Sequence, residues 1–68
     1  MLKVALTKGR IEKKVTTMLE KLGYDVTSMI NKNRELQINV EDKMEIIFAK
    51  SNDVVTFIEH GMVDIGIV

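Results

Sequence analysis

Leu2-Lys3-Val4-Ala5-Leu6-Thr7-Lys8-Gly9-Arg10 is the stretch on which the fold turns. Leu2 to Leu6 alternates in the period of a strand. Thr7 to Arg10 is a short loop or helix entry. Ile11, Val15, Met18, Leu19 and Leu22 then recur on one face of a helix that runs from about Arg10 to Leu22. Gly23 stands where a left-handed cap residue is expected. A strand feeding a helix through a cationic, glycine-bearing loop is the opening of an α/β unit.

The same pattern recurs downstream. Tyr24 to Glu35 is the least legible stretch, with a polar, turn-prone Asn31-Lys32-Asn33-Arg34. Leu36-Gln37-Ile38-Asn39-Val40 alternates strictly and reads as a strand buried on one face. Glu41-Asp42-Lys43 is a compact turn. Glu45-Ile46-Ile47-Phe48-Ala49 is nearly continuous in apolar residues, as a strand covered on both faces should be. The two strands read as a hairpin, although no glycine sets its type. Ser51 or Asn52 suits an N-cap, with Asp53 in the first turn. Val54, Val55, Ile58 and Met62 mark a short helix with Phe57 beside them, His60 in its last turn and Gly61 after it. Asp64-Ile65-Gly66-Ile67-Val68 is the final strand. The expected order is therefore β-α-β-β-α-β, in a single unit over 1–68. An apolar strand with no turn or polar tail after it reads as the opening piece of a larger α/β domain, or as an assembly-dependent fragment.

Composition narrows the chemistry. The chain has 68 residues, 46% hydrophobic and 29% charged, which is ordinary for a soluble globular protein. It has no cysteine, so disulfides and thiolate metal sites are excluded, and its single histidine cannot build a multi-histidine site. No long apolar run or signal-peptide pattern is present, so the expectation is a cytoplasmic protein with no membrane partner. The aromatics Tyr24, Phe48 and Phe57 are too few for a base-stacking nucleic-acid platform. Net charge is zero, yet residues 1–35 hold eight Lys/Arg against four acids, and residues 36–68 hold two against six. A basic first half could face phosphates, and solvated helix faces account for the same count.

Ligands of such sheets sit beyond the carboxyl ends of the parallel strands. Two loops are expected there, Thr7–Arg10 and Lys50–Asp53. Each carries a cation and opens a helix, whose free N–H groups and dipole favour anions. Gly9 would let the backbone approach a ligand, and Lys8 and Arg10 offer a point charge and a planar fork. The spacing GxxxxGKS/T of a P-loop is absent. Arg34 reads either as a surface ion pair with Glu35 or as an arm toward the same ligand. Asp53 serves its own helix terminus or the site. Asp64 bonds nearby backbone or approaches a ligand hydroxyl. Gly66 inside a strand hints at close backbone approach or a bulge. His60 is most simply a favourable helix-dipole contact.

These residues closely resemble the N-terminal part of the ATP phosphoribosyltransferase family. The matching stretches are Val4-Ala5-Leu6-Thr7-Lys8-Gly9-Arg10-Ile11, Gly23-Tyr24-Asp25-Val26, Arg34-Glu35-Leu36, and the whole of Ala49 to Val68 with its Asp53-Val54, Glu59-His60-Gly61 and Asp64-Ile65-Gly66. The resemblance implies the first part of lobe one of a two-lobed catalytic domain similar to type II periplasmic binding proteins. It implies a cleft in which ATP and phosphoribosyl pyrophosphate condense, with Mg²⁺, to N1-(5-phosphoribosyl)-ATP and pyrophosphate in histidine biosynthesis. By the same carry-over Lys8, Gly9 and Arg10 line the nucleotide side, Arg34 and Lys50 add positive charge, and Asp53 and Asp64 shape the pocket. A homo-oligomer, and in short forms a separate regulatory subunit, are implied partners. Many members have Arg-Pro where this chain has Lys50-Ser51, a point charge in place of a planar fork. The second lobe, with its phosphoribosyl-pyrophosphate loop, lies outside these residues, so the piece alone is expected to be inactive. The alternative is a non-catalytic folding or assembly unit that self-associates through its final strand.

Overall fold

The computed structural model describes residues 1–31 and 36–68. Its order is β1 (Leu2–Thr7), α1 (Arg10–Lys21), α2 (Thr27–Ile30), β2 (Gln37–Val40), β3 (Met44–Ala49), α3 (Ser51–Glu59) and β4 (Ile65–Ile67). The four strands form one mixed sheet in the order β2-β3-β1-β4. β1 is central and runs parallel to β3, with Val4 opposite Ile46, and parallel to β4, with Leu6 opposite Ile67. β2 and β3 form the expected antiparallel hairpin, Ile38 opposite Ile46.

The α/β expectation holds, with one element added. The short α2 lies in the stretch that carries little periodicity. Four residues are barely one turn, too few for a helical repeat to show. Side-chain bonds, two of them local and two reaching the hairpin, hold it instead. The Asp25 carboxylate accepts from the Thr27 N–H at 3.0 Å and the Thr27 hydroxyl at 2.6 Å. The Asp25 N–H donates to Glu41 at 2.5 Å, and the Ser28 hydroxyl donates to the Asn39 carbonyl at 2.9 Å. The hairpin turn solves its missing glycine with two left-handed residues, Glu41 at φ 53° and Asp42 at φ 56°. The Lys43 N–H closes it on the Val40 carbonyl at 3.0 Å.

The two crossovers travel in opposite directions along the sheet, and their helices lie on opposite faces. On one face, Val15 and Leu19 of α1 and Met29 of α2 pack on Val4, Leu6, Ile46 and Phe48. On the other, Val54 of α3 packs on Ala5 with Val63. Burial is narrower than the periodicity predicts: Met18 and Leu22 of α1 remain 50% and 68% exposed. β3 also departs from its expectation. Met44, Ile46 and Phe48 are buried, whereas Glu45, Ile47 and Ala49, on the α3 side, are only half-buried. One nine-residue helix cannot roof that face.

Boundary corrections are small. The N-cap of α3 is Lys50, one residue before the expected Ser51, and the cap makes no side-chain bond. His60 is the C-cap residue, and Gly61 takes the left-handed φ of 68° after it. Gly66 does mark close approach: a Cβ there would run into Ile58 and stand 3.0 Å from Val54 Cγ1. Among the described residues no helix is long and apolar enough to cross a membrane.

Candidate functional site

A groove of about 600 Å³ opens on the α3 face at the carboxyl ends of β1 and β3. Its polar wall is Thr7 and Lys8 from β1 and the loop after it, and Lys50 and Asp53 from the entry to α3. Its floor is apolar: Ile47 and Ala49 from β3 and Phe57 from α3, with Leu36 and Gln37 at the β2 end. The register explains why these meet. Thr7 lies opposite Ala49, so both parallel strands end at the same level and deliver their loops side by side.

Two exposed lysines make the wall cationic. The first intrahelical bond of α3 is Val54 N–H to the Lys50 carbonyl, 3.0 Å. The N–H groups of Ser51, Asn52 and Asp53 precede it and have no partner within the helix. With the positive end of the helix dipole they favour an anion. The Asp53 carboxylate in the same turn stabilises the helix start and sets a negative edge to the groove.

The neighbouring helix start differs. Gly9 is the N-cap of α1 at φ 91° and ψ −122°, a conformation only glycine adopts without strain. Its N–H donates to the Glu12 carboxylate at 3.2 Å. This terminus is thus served partly by its own carboxylate. Arg10, the first helical residue, is exposed and is not part of the groove wall.

The expected site residues therefore separate. Lys8, Lys50 and Asp53 share one groove. Gly9 and Arg10 adjoin it through the chain. Asp64 does not join them: its carboxylate accepts from the Lys3 N–H at 2.8 Å, and its own N–H donates to the Lys3 carbonyl at 2.9 Å. That reciprocal clamp sits at the start of β1, about 13 Å of strand away from Thr7, and follows the backbone-bonding alternative for this residue. Arg34 lies outside the described residues. His60 is at the far end of α3 from Lys50, ten residues or about 15 Å along the helix. Ile47 and Phe57 were missed as groove residues, and Thr7, though inside the expected loop, was given no role. Alternation in β1 could have found Thr7, since it shares a face with the small Ala5 at the carboxyl end of the strand.

Among the described residues no group of three or more His, Cys, Asp or Glu could hold a metal ion. Chemically, the groove can bind and orient a ligand with an apolar body and an anionic end.

No family model matches the chain. Whole proteins do match it. Over 68 residues it is 56% identical to "ATP phosphoribosyltransferase" of Lactococcus lactis subsp. cremoris (strain MG1363), covering 100% of this chain and 33% of that protein. It is 48% identical to the enzyme of that name from Clostridium kluyveri and 47% to that from Listeria monocytogenes, each over 98% of this chain and 31% and 32% of the relative. The chain spans about a third of the length of the curated relatives it matches.

Proposed function

We propose that this chain, homologous along its whole length to part of the ATP phosphoribosyltransferases, supplies the nucleotide-facing wall of that enzyme's cleft. The whole enzyme would condense ATP with phosphoribosyl pyrophosphate, releasing pyrophosphate. The chain would be part of the first lobe of a type II periplasmic-binding-protein-like fold, and inactive without the second lobe. The observation that carries the reading is the groove itself. Lys8 and Lys50 converge beside the α3 N-terminus above the floor of Ile47, Ala49 and Phe57.

Each part has a physical task. The floor takes apolar or aromatic surface out of water, and the cations and helix N–H groups hold phosphate oxygens. Lys8 and Lys50 are exposed, so their attraction is screened and salt-sensitive. Catalysis in such a transfer is mainly positioning and charge stabilisation, because pyrophosphate leaves from a cation-like sugar carbon. This segment would orient one reactant. Gly9 and Arg10 belong to the proposal as neighbours of the phosphate end, and Arg34 only as a further positive charge implied by the resemblance. Asp64 would act only through the clamp on Lys3 that fixes β4. Mg²⁺ would be carried by the phosphates of the sugar substrate. A cytoplasmic location, a homo-oligomer and a separate regulatory subunit are parts of the same proposal.

The test is an amide NMR spectrum of the chain with and without ATP. Selective shifts at Lys8–Arg10 and Lys50–Asp53 are expected, and Lys50→Ala should weaken binding by about tenfold. A dispersed spectrum that ATP leaves unmoved would overturn the reading for this segment.

A second reading rests on a different observation. Ile58 and Ile65 are 45% and 44% exposed beside β4, whose paired neighbour in the sheet is β1 alone. A non-catalytic unit that self-associates through β4 would cover them. Its mark is a thermal midpoint that rises with protein concentration, together with a mass above the monomer.

A further inference from the structure

We infer that Thr7 is a ligand-binding residue whose hydroxyl donates to a phosphate oxygen held between Lys8 and Lys50. This rests on the nucleotide reading of the groove and adds to it a role for Thr7, which the expected loop Thr7–Arg10 contains without a task of its own.

The five threonines differ in what their hydroxyls meet. Thr16, Thr17 and Thr56 donate to the carbonyls of Glu12, Lys13 and Asn52 at 2.8, 3.0 and 3.0 Å. Thr27 donates to Asp25 at 2.6 Å. Thr7 alone among them has an enclosed Oγ1 with no hydrogen-bond partner among the described residues. Enclosed hydroxyls are nearly always paired, and an unpaired one is costly.

Its place says what the partner is. Val4 and Leu6 face the α1/α2 core, so alternation turns Ala5 and Thr7 toward α3. Thr7 is the last residue of the central strand and forms the groove wall with Lys8, Lys50 and Asp53. That is the position where parallel sheets meet their ligands. Valine would suit the strand equally well and leave no polar atom unpaired. A hydroxyl on a groove wall lined by two lysines calls for an acceptor, and an anionic oxygen suits all three. Phosphate supplies such oxygens.

The experiment compares the wild type with Thr7→Val and Thr7→Ser, titrated with ATP and with adenosine, alongside denaturant unfolding without ligand. Thr7→Val is expected to bind ATP at least tenfold more weakly. Its affinity for adenosine should not change, and its unfolding midpoint should stay level or rise. Thr7→Ser should recover most of the ATP affinity. Equal ATP affinity in wild type and Thr7→Val overturns this inference and leaves the groove reading standing. An equal loss toward adenosine overturns the phosphate assignment. A lowered unfolding midpoint in Thr7→Val makes Thr7 structural and also overturns it. A folded wild type that ignores ATP removes the nucleotide reading and this inference with it.

Discussion

The two faces of the sheet are built to different standards. On the α1/α2 face, Leu6, Val40 and Ile46 are fully buried and Val15, Leu19, Val26 and Met29 nearly so, in one continuous core. On the α3 face only Ala5, Val54 and Val63 are buried, while Ile47, Ala49 and Phe57 are half-covered. Chain length accounts for much of this. A 68-residue chain buries a smaller fraction of its surface than a larger domain does, and this one places most of its buried apolar residues on one face. The groove opens on the other. The lesson is a division of labour: one face holds the fold together, and the other, incompletely roofed, can receive a ligand or another part of a protein.

The sharpest way to break this comparison is to cut a large side chain from the closed face. Ile46→Ala should destabilise by about 2–5 kcal/mol, because the packed core around it cannot collapse into the gap. Val54→Ala on the α3 face removes less and should cost about 1–2 kcal/mol. Denaturant midpoints at constant m-value would measure both. Equal losses would erase the distinction between the faces.

A smaller effect tests how α3 is seated. Gly66→Ala would push on Ile58 and crowd Val54 Cγ1, so α3 must lift or repack. The expected cost is about 1–3 kcal/mol. Amide exchange should rise in α3 and β4 while α1 stays protected. Protection lost evenly across the chain would mean that the faces do not open independently.

The smallest effect lies where α2 joins the hairpin on the closed face. The Thr27 hydroxyl, and then the Thr27 N–H, hold the Asp25 carboxyl below its ordinary pKa. A native pKa below the unfolded one means that the carboxylate favours the fold. That stabilisation is complete above the unfolded value and is lost as pH falls through the native one. Acid titration should therefore loosen α2, read from the Thr27–Ile30 amides, and Asp25→Asn should flatten that dependence. The site is exposed, so the change should be local and slight.

Much of this was legible in the residues. Alternation in Leu2–Leu6 and Leu36–Val40 and the helical repeat from Ile11 to Leu19 each reflect a period set by the element itself. The carboxyl-end rule pointed to the Lys8 and Lys50 loops before any geometry was known. Asp64 was less tractable. A carboxylate at a strand start bonds backbone or ligand equally well on paper, and only the pairing of β4 with β1 sets it against Lys3. Thr7 was overlooked because a threonine closing a strand is unremarkable until its hydroxyl is seen to lack a partner.

The sequence by itself determined six of the seven elements, the α/β class and the resemblance to the ATP phosphoribosyltransferases, because side-chain periodicity and motif spacing are local and survive without the fold. Only the tertiary structure decided the strand order β2-β3-β1-β4, the existence of α2 and the company each charged residue keeps. Those depend on register and on which face each crossover covers. Register brought Thr7 level with Ala49, and so placed Lys8 and Lys50 on one groove and left Asp64 at the other end of the sheet.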